Sequence, residues 1–95
     1  MKFEWDEGNN ILNIKKHGIS FDEACDVFYD PLHLSILDYR FNYFEERWIT
    51  IGKTSKEKVV VVANIYFNID SEEVIRIISA RYANLKERKQ YESTR

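Results

Sequence analysis

Four cations sit where ordinary solvation does not account for them. Arg47 opens an alternating segment, Lys53 lies in the turn after Gly52, Arg76 stands between Ile75 and Ile77, and Arg81 closes that run. A guanidinium inside a strand flanked by isoleucines must reach an acid or face an anion. Glu45, Glu46 and Glu72 are the acids within reach of such a reading, and an exposed pair of that kind is worth under ~1 kcal/mol. His17 ends a helix-like run just before Gly18. Two uses fit it: a charge stabilised by the helix C-terminus, or a general acid or base acting on a proton of a phosphodiester. His33 reads as loop decoration and Cys25, on an apolar helix face, as a small core residue. The chain has no nucleotide-binding loop, nucleophile elbow or zinc-protease motif. One cysteine and two distant histidines leave neither a disulfide nor a compact metal-ligand spacing. No cofactor is therefore expected.

These groups need a frame, and the pattern supplies one. Lys2 to Trp5 alternates and reads as a short strand with Phe3 and Trp5 on one face. Asp6 can cap a helix whose apolar residues include Ile11, Leu12 and Ile14, stopping near His17 because Gly18 suits a left-handed end. Ser20 with Glu23 forms a capping box for a second helix bearing Phe21, Ala24, Cys25 and Phe28, which Asp30-Pro31 ends. Leu34–Leu37, Arg47–Ile51, the β-branched Lys58–Phe67 and Val74–Arg81 read as four strands, the third covered on both faces. Asn84 and Glu87 cap a final basic helix through Tyr91. The order is β-α-α-β-β-β-β-α, an α+β domain with an antiparallel sheet and its helices set to one side. In a regular strand Arg76 and Arg81 would fall on opposite faces, so a bulge or strand end near Ser79 must turn one of them if they share a site.

The whole chain bounds these readings. Ninety-five residues, 44% hydrophobic and 32% charged, describe one folded domain spanning residues 1–95. The longest apolar run, Val59 to Ala63, is far short of the roughly 20 residues of a membrane helix. The first residues lack the apolar stretch of a signal peptide, so a cytoplasmic location without membrane attachment is expected. The net charge of −2 hides a division: residues 1–39 carry three Lys against eight Asp or Glu, and residues 76–95 six basic against two acidic side chains. An anionic partner must therefore be met locally, not by the overall field. Tyr39, Phe41, Tyr43 and Phe44 crowd one loop, where they could stack bases or meet a protein.

The residues also resemble a known family. Glu4-Trp5-Asp6, Asn13 with Lys16-His17-Gly18, Ser20-Phe21-Asp22-Glu23-Ala24, Val27-Phe28 and Asp30-Pro31 are similar to the N-terminal half of the BrnT ribonuclease toxins. Glu45-Glu46-Arg47, Ile51-Gly52-Lys53-Thr54, and Arg76-Ile77-Ile78-Ser79-Ala80-Arg81 followed by Glu87-Arg88 and Tyr91 resemble the remainder. The resemblance implies a toxin of a bacterial type II toxin–antitoxin pair with a RelE-like fold. It implies RNA cleavage without a metal, and neutralisation by a ribbon-helix-helix antitoxin through which the complex meets operator DNA. His17, Arg47, Lys53, Arg76, Ser79 and Arg81 are the matching polar positions. Phe41-Asn42 stands where many relatives have His-Ser, and Asn64-Ile65-Tyr66 where many have Thr-x-Arg. These departures keep a second expectation open: a weakened or inactive module that acts through its partner and the operon.

Overall fold

The computed structural model describes residues 1–41 and 46–93. Its elements run β1 (Lys2–Glu4), α1 (Glu7–His17), α2 (Phe21–Ala24), β2 (Leu34–Leu37), β3 (Trp48–Lys53), β4 (Val59–Ile69), β5 (Glu72–Tyr82) and α3 (Leu85–Glu92). The order is the one read from the sequence. Local chemistry fixes the helix ends. Asp6 accepts from the Asn9 amide, Ser20 from that of Glu23, and Asn84 and Glu87 cap each other's backbone reciprocally. Gly18 closes α1 with φ 74°, where a side chain would be strained. The β4–β5 hairpin turns on Asp70 and Ser71, at φ 51° and 67°. Such paired positive values match the right-handed twist of the strands they join. The second helix departs from expectation: after Ala24 it tightens into a 3₁₀ turn over Cys25–Tyr29. Phe21, Ala24 and Val27, three residues apart, are all buried there.

The sheet order is β1-β5-β4-β3-β2. Strands β2 to β5 pair antiparallel, as short connections dictate. The expectation of a wholly antiparallel sheet is corrected at β1, which runs parallel to β5 over Val74–Arg76. Two helices, not a hairpin, follow β1, so its direction is set by docking on the open edge of β5. The sheet is mixed.

One face carries the main core: Ile19, Phe21, Ala24, Val27 and Phe28 from the helical segments against Val60, Val62, Ile75, Ile77 and Ala80. On the other face a smaller cluster, Ile51, Val61 and Tyr91, lies beneath α3. The middle of β4 is thus covered on both sides, as its composition implied.

Within β5 the register slips. Ala63 opposes Ser79 and Asn64 opposes Ile77, so Ile78 has no opposite residue. The bulge reverses the alternation. Ile75, Ile77 and Ala80 face α1 and α2, whereas Arg76, Ser79 and Arg81 share the other face with Ile65, Ala63 and Val61.

Helix α1 inverts the usual pattern. Its buried residues are Asn10 and Asn13, while Ile11, Leu12 and Ile14 are 50%, 64% and 44% exposed. The reason lies at the sheet edge. β1 covers β5 only as far as Arg76, which leaves the outer edge of β5 at Ala80, the side away from β4, without a neighbouring strand. The Asn13 amide takes that place, donating to the Ala80 and Ile19 carbonyls at 2.8 and 2.9 Å and accepting from the Ala80 N–H at 3.1 Å. Asn10 accepts from the Phe21 amide at 2.8 Å.

Candidate nucleic-acid interface

Three of the expected residues come together on the face opposite α1 and α2. Arg47, Ser79 and Arg81 line one cleft of about 220 Å³, with Ile49, Val61 and Ala63 among its apolar lining and Asp38 and Arg40 beside them. The strands explain the convergence. Arg47 immediately precedes β3, and the bulge turns Ser79 and Arg81 toward it. Arg76, opposite Ile65 on the same face, lines a separate cleft with Glu4, Glu46, Trp48, Tyr66 and Phe67. Lys53 ends β3 beyond α3, in clefts with Lys58 and Arg88 on one side and Asp26 and Asp30 on the other. His17 is half-buried at the end of α1, the helix that Asn13 docks on the β5 edge, and it lines neither cleft that holds the arginines.

The arginines have acid partners other than those the sequence offered. Arg76 meets Glu4 at 2.7 Å, because parallel β1 places Glu4 opposite it. Arg81 is held by both oxygens of Glu87, at 2.7 and 2.8 Å. That bidentate pair raises the Arg81 pKa; in turn the guanidinium, then the Asn84 amide, hold the Glu87 carboxyl below its usual value. Glu87 therefore binds α3 to the rim of the cleft. Its stabilisation is fully present above the ordinary Glu range and is lost as pH falls through the lowered value, when protonation removes the charge facing Arg81. Thermal melts of wild type and Glu87→Gln between pH 7 and 3 check this. The gap in Tm is expected to narrow as pH falls below the ordinary Glu range and to close as it passes the lowered value, and a gap independent of pH would contradict it.

Asp38 and Arg40 were not singled out by their spacing. Arg40 donates to Asp38 through its backbone amide, Nε and Nη2, at 3.2, 2.9 and 2.9 Å. These bonds and the nearby Arg47 hold the carboxyl low. The pairing makes Asp38 a fixed anion that keeps Arg40 and Arg47 at the cleft mouth; the i, i+2 spacing around a 3₁₀ turn was its only trace in the sequence. Of the aromatic run, Tyr39 is 73% exposed, and Tyr43 and Phe44, like Asn42 and Glu45, lie outside the described residues. Tyr66 points to the helical side, edge-on to Phe28 and Trp48, with its hydroxyl 3.0 Å from Ser35. Cys25 is buried, and burial pushes its thiol up to about 12. No cluster among the described residues could hold a metal ion, and no helix there is long and apolar enough to cross a membrane.

Residues 5–87 match the family model described as the ribonuclease toxin BrnT of type II toxin–antitoxin systems. The chain belongs to the BrnT family. The crystal structure of the Brucella abortus ribonuclease toxin BrnT is similar across 88% of this chain and 97% of that one, at 26% identity with a TM-score of 0.62. No curated protein matches. The BrnT family's place in type II systems implies an antitoxin partner, and its description as a ribonuclease implies RNA cleavage as the family activity.

Proposed function

We propose that the cleft between Arg47, Ser79 and Arg81 binds a phosphodiester of RNA and that the chain is a metal-independent endoribonuclease. RNA supplies the nucleophile. Its 2′-OH attacks the neighbouring phosphorus, the bond to the 5′ oxygen breaks, and the proton passes from the 2′ oxygen to the leaving oxygen. What the protein adds is positive charge fixed where negative charge develops. The observation that carries this reading is the convergence of two arginines and a serine on one open face, brought about by the bulge at Ile78. Arg76, in a separate cleft on the same face, would hold a further phosphate, and Lys53 a more distant one. The fold is RelE-like on this reading, and residues 1–95 form one cytoplasmic toxin domain. Its antitoxin is a ribbon-helix-helix protein that covers the cations with acidic residues and brings the complex to operator DNA.

A second reading has its own support. Arg76 and Arg81 are each engaged by a carboxylate, and Tyr66, where many relatives resemble one another in having Arg, packs toward the core. Such a chain could bind its antitoxin without cutting RNA. Incubation of the purified protein with RNA in EDTA separates the two. Cleavage that survives EDTA is expected; antitoxin binding with intact RNA would establish the module instead. His17 lines neither arginine cleft, so His17→Gln is expected to keep cleavage within about tenfold. A loss of about 10²-fold or more at unchanged Tm would bring the imidazole into the proton transfer.

A further inference from the structure

We propose that the outer face of α1 is a self-complementary surface on which a second copy of this chain docks in antiparallel orientation, forming a weak two-fold dimer. The inverted helix is the starting point. With its two asparagines committed inward, α1 leaves Ile11 and Leu12 exposed by 50% and 64% on the side away from the sheet, with Ile14, 44% exposed, on the flank next to Asn10. Three adjacent large apolar side chains on one short helix form a patch, not scattered surface residues.

Charge position selects the occupant. Residues four apart lie on one row of a helix, so Glu7, Ile11 and Lys15 form a line with Ile11 at its centre and Leu12 and Ile14 on its flanks. A two-fold axis through Ile11 places Glu7 of each copy beside Lys15 of the other and sets the helix dipoles antiparallel. An isologous contact requires this symmetry of a single patch. The Glu7 carboxylate lies at the flank of this row, where it accepts from the Trp5 indole at 3.2 Å and from Asn10 Nδ2 at 2.9 Å. Lys15 is exposed. The contact is small: the 11 residues of α1 span roughly 16 Å at 1.5 Å each. It falls short of the roughly 1,200 Å² of a standard stable interface, so the dimer forms in the micromolar-to-millimolar range.

Sedimentation velocity of the full chain over that range, at low salt, tests the proposal. Wild type is expected to shift from monomer to dimer with concentration. Lys15→Glu and Glu7→Lys each place like charges together twice, and each is expected to raise the dissociation constant about tenfold or more. An equimolar mixture of the two restores both opposite-charge contacts and is expected to return association to within about threefold of wild type. Leu12→Glu, at an exposed position that folding does not depend on, is expected to abolish association. A chain that stays monomeric throughout would overturn the proposal. So would a dimer indifferent to Leu12→Glu, or a mixture no tighter than either charge variant alone.

Discussion

Arg81→Ala is expected to slow RNA cleavage by about 10²–10³-fold, the usual effect of removing one donor that meets charge developing in a transition state. Two effects add here. The cleft loses a guanidinium that shares it with Arg47 and Ser79, and Glu87, until then engaged by both Arg81 nitrogens, is left as an unpaired anion beside the phosphate. Arg81→Ala/Glu87→Gln is therefore expected to recover part of the loss, and Arg47→Ala, which frees no acid of α3, to cost less than Arg81→Ala alone. The double variant lacking both arginines should fall short of the product of the two single losses, since both act on one phosphate. Single-turnover rates on a fixed RNA, with melting curves to confirm folding, give the comparison. Full activity without Arg47 and Arg81 would remove this cleft from the reaction.

The largest effect on stability is expected at Asp30. One oxygen accepts from the Leu32 amide at 2.9 Å, and the other takes both the Lys53 amide at 2.8 Å and the Tyr91 hydroxyl at 2.5 Å. Asp30 therefore joins the end of the 3₁₀ turn, β3 and α3. Burial alone would raise its carboxyl, but Tyr91, the two amides and the nearby His33 outweigh it and hold the pKa low. Asp30→Ala strands an amide and a hydroxyl at the edge of the smaller core. Hydrogen bonds to a charged group are worth about 1.5–3 kcal/mol, so a loss of about 2–4 kcal/mol is expected. In a domain of this size that lowers Tm by about 10–20 °C. The sign with pH follows from the lowered value: the contribution is whole above the ordinary Asp range and disappears as pH falls through the depressed pKa. Acid should thus narrow the Tm difference between wild type and Asp30→Ala. A variant melting within two or three degrees of wild type at neutral pH would show that Asp30 does not join these elements.

What the sequence revealed was local. Asp6, Ser20, Asn84 and Gly18 announce helix ends because a cap needs only three or four neighbouring residues. The bulge was legible for a different reason: two arginines five positions apart could share a face only if the strand broke its alternation between them. Long-range partners left no trace. Glu4 meets Arg76 across 72 positions and Asp30 meets Tyr91 across 61; only the parallel docking of β1 and the path of α3 bring them together. Helix α1 misled in a more instructive way. Apolar residues normally mark the inner side of a helix, but an uncovered strand edge needed amides, and Asn13 was worth more there than Ile14. At the cleft, Arg47, Ser79 and Arg81 were named from the sequence, whereas Asp38 and Arg40 emerged only once the turn after β2 was folded.

The unpaired Ile78 also acts as a phase slip in the mutational grammar of β5. Just upstream of it the main core claims Ile75 and Ile77, odd-numbered positions; downstream it claims an even one, Ala80. A systematic scan of substitutions along this strand should therefore show two rhythms joined out of step. Between 75 and 80, charged residues are rejected at 75, 77 and 80 and accepted at 76 and 79, and the adjacent tolerant positions of this stretch fall where the beat changes. A single further insertion or deletion between Arg76 and Arg81, uncompensated by a second, would restore the plain alternation and turn the two arginines to opposite faces.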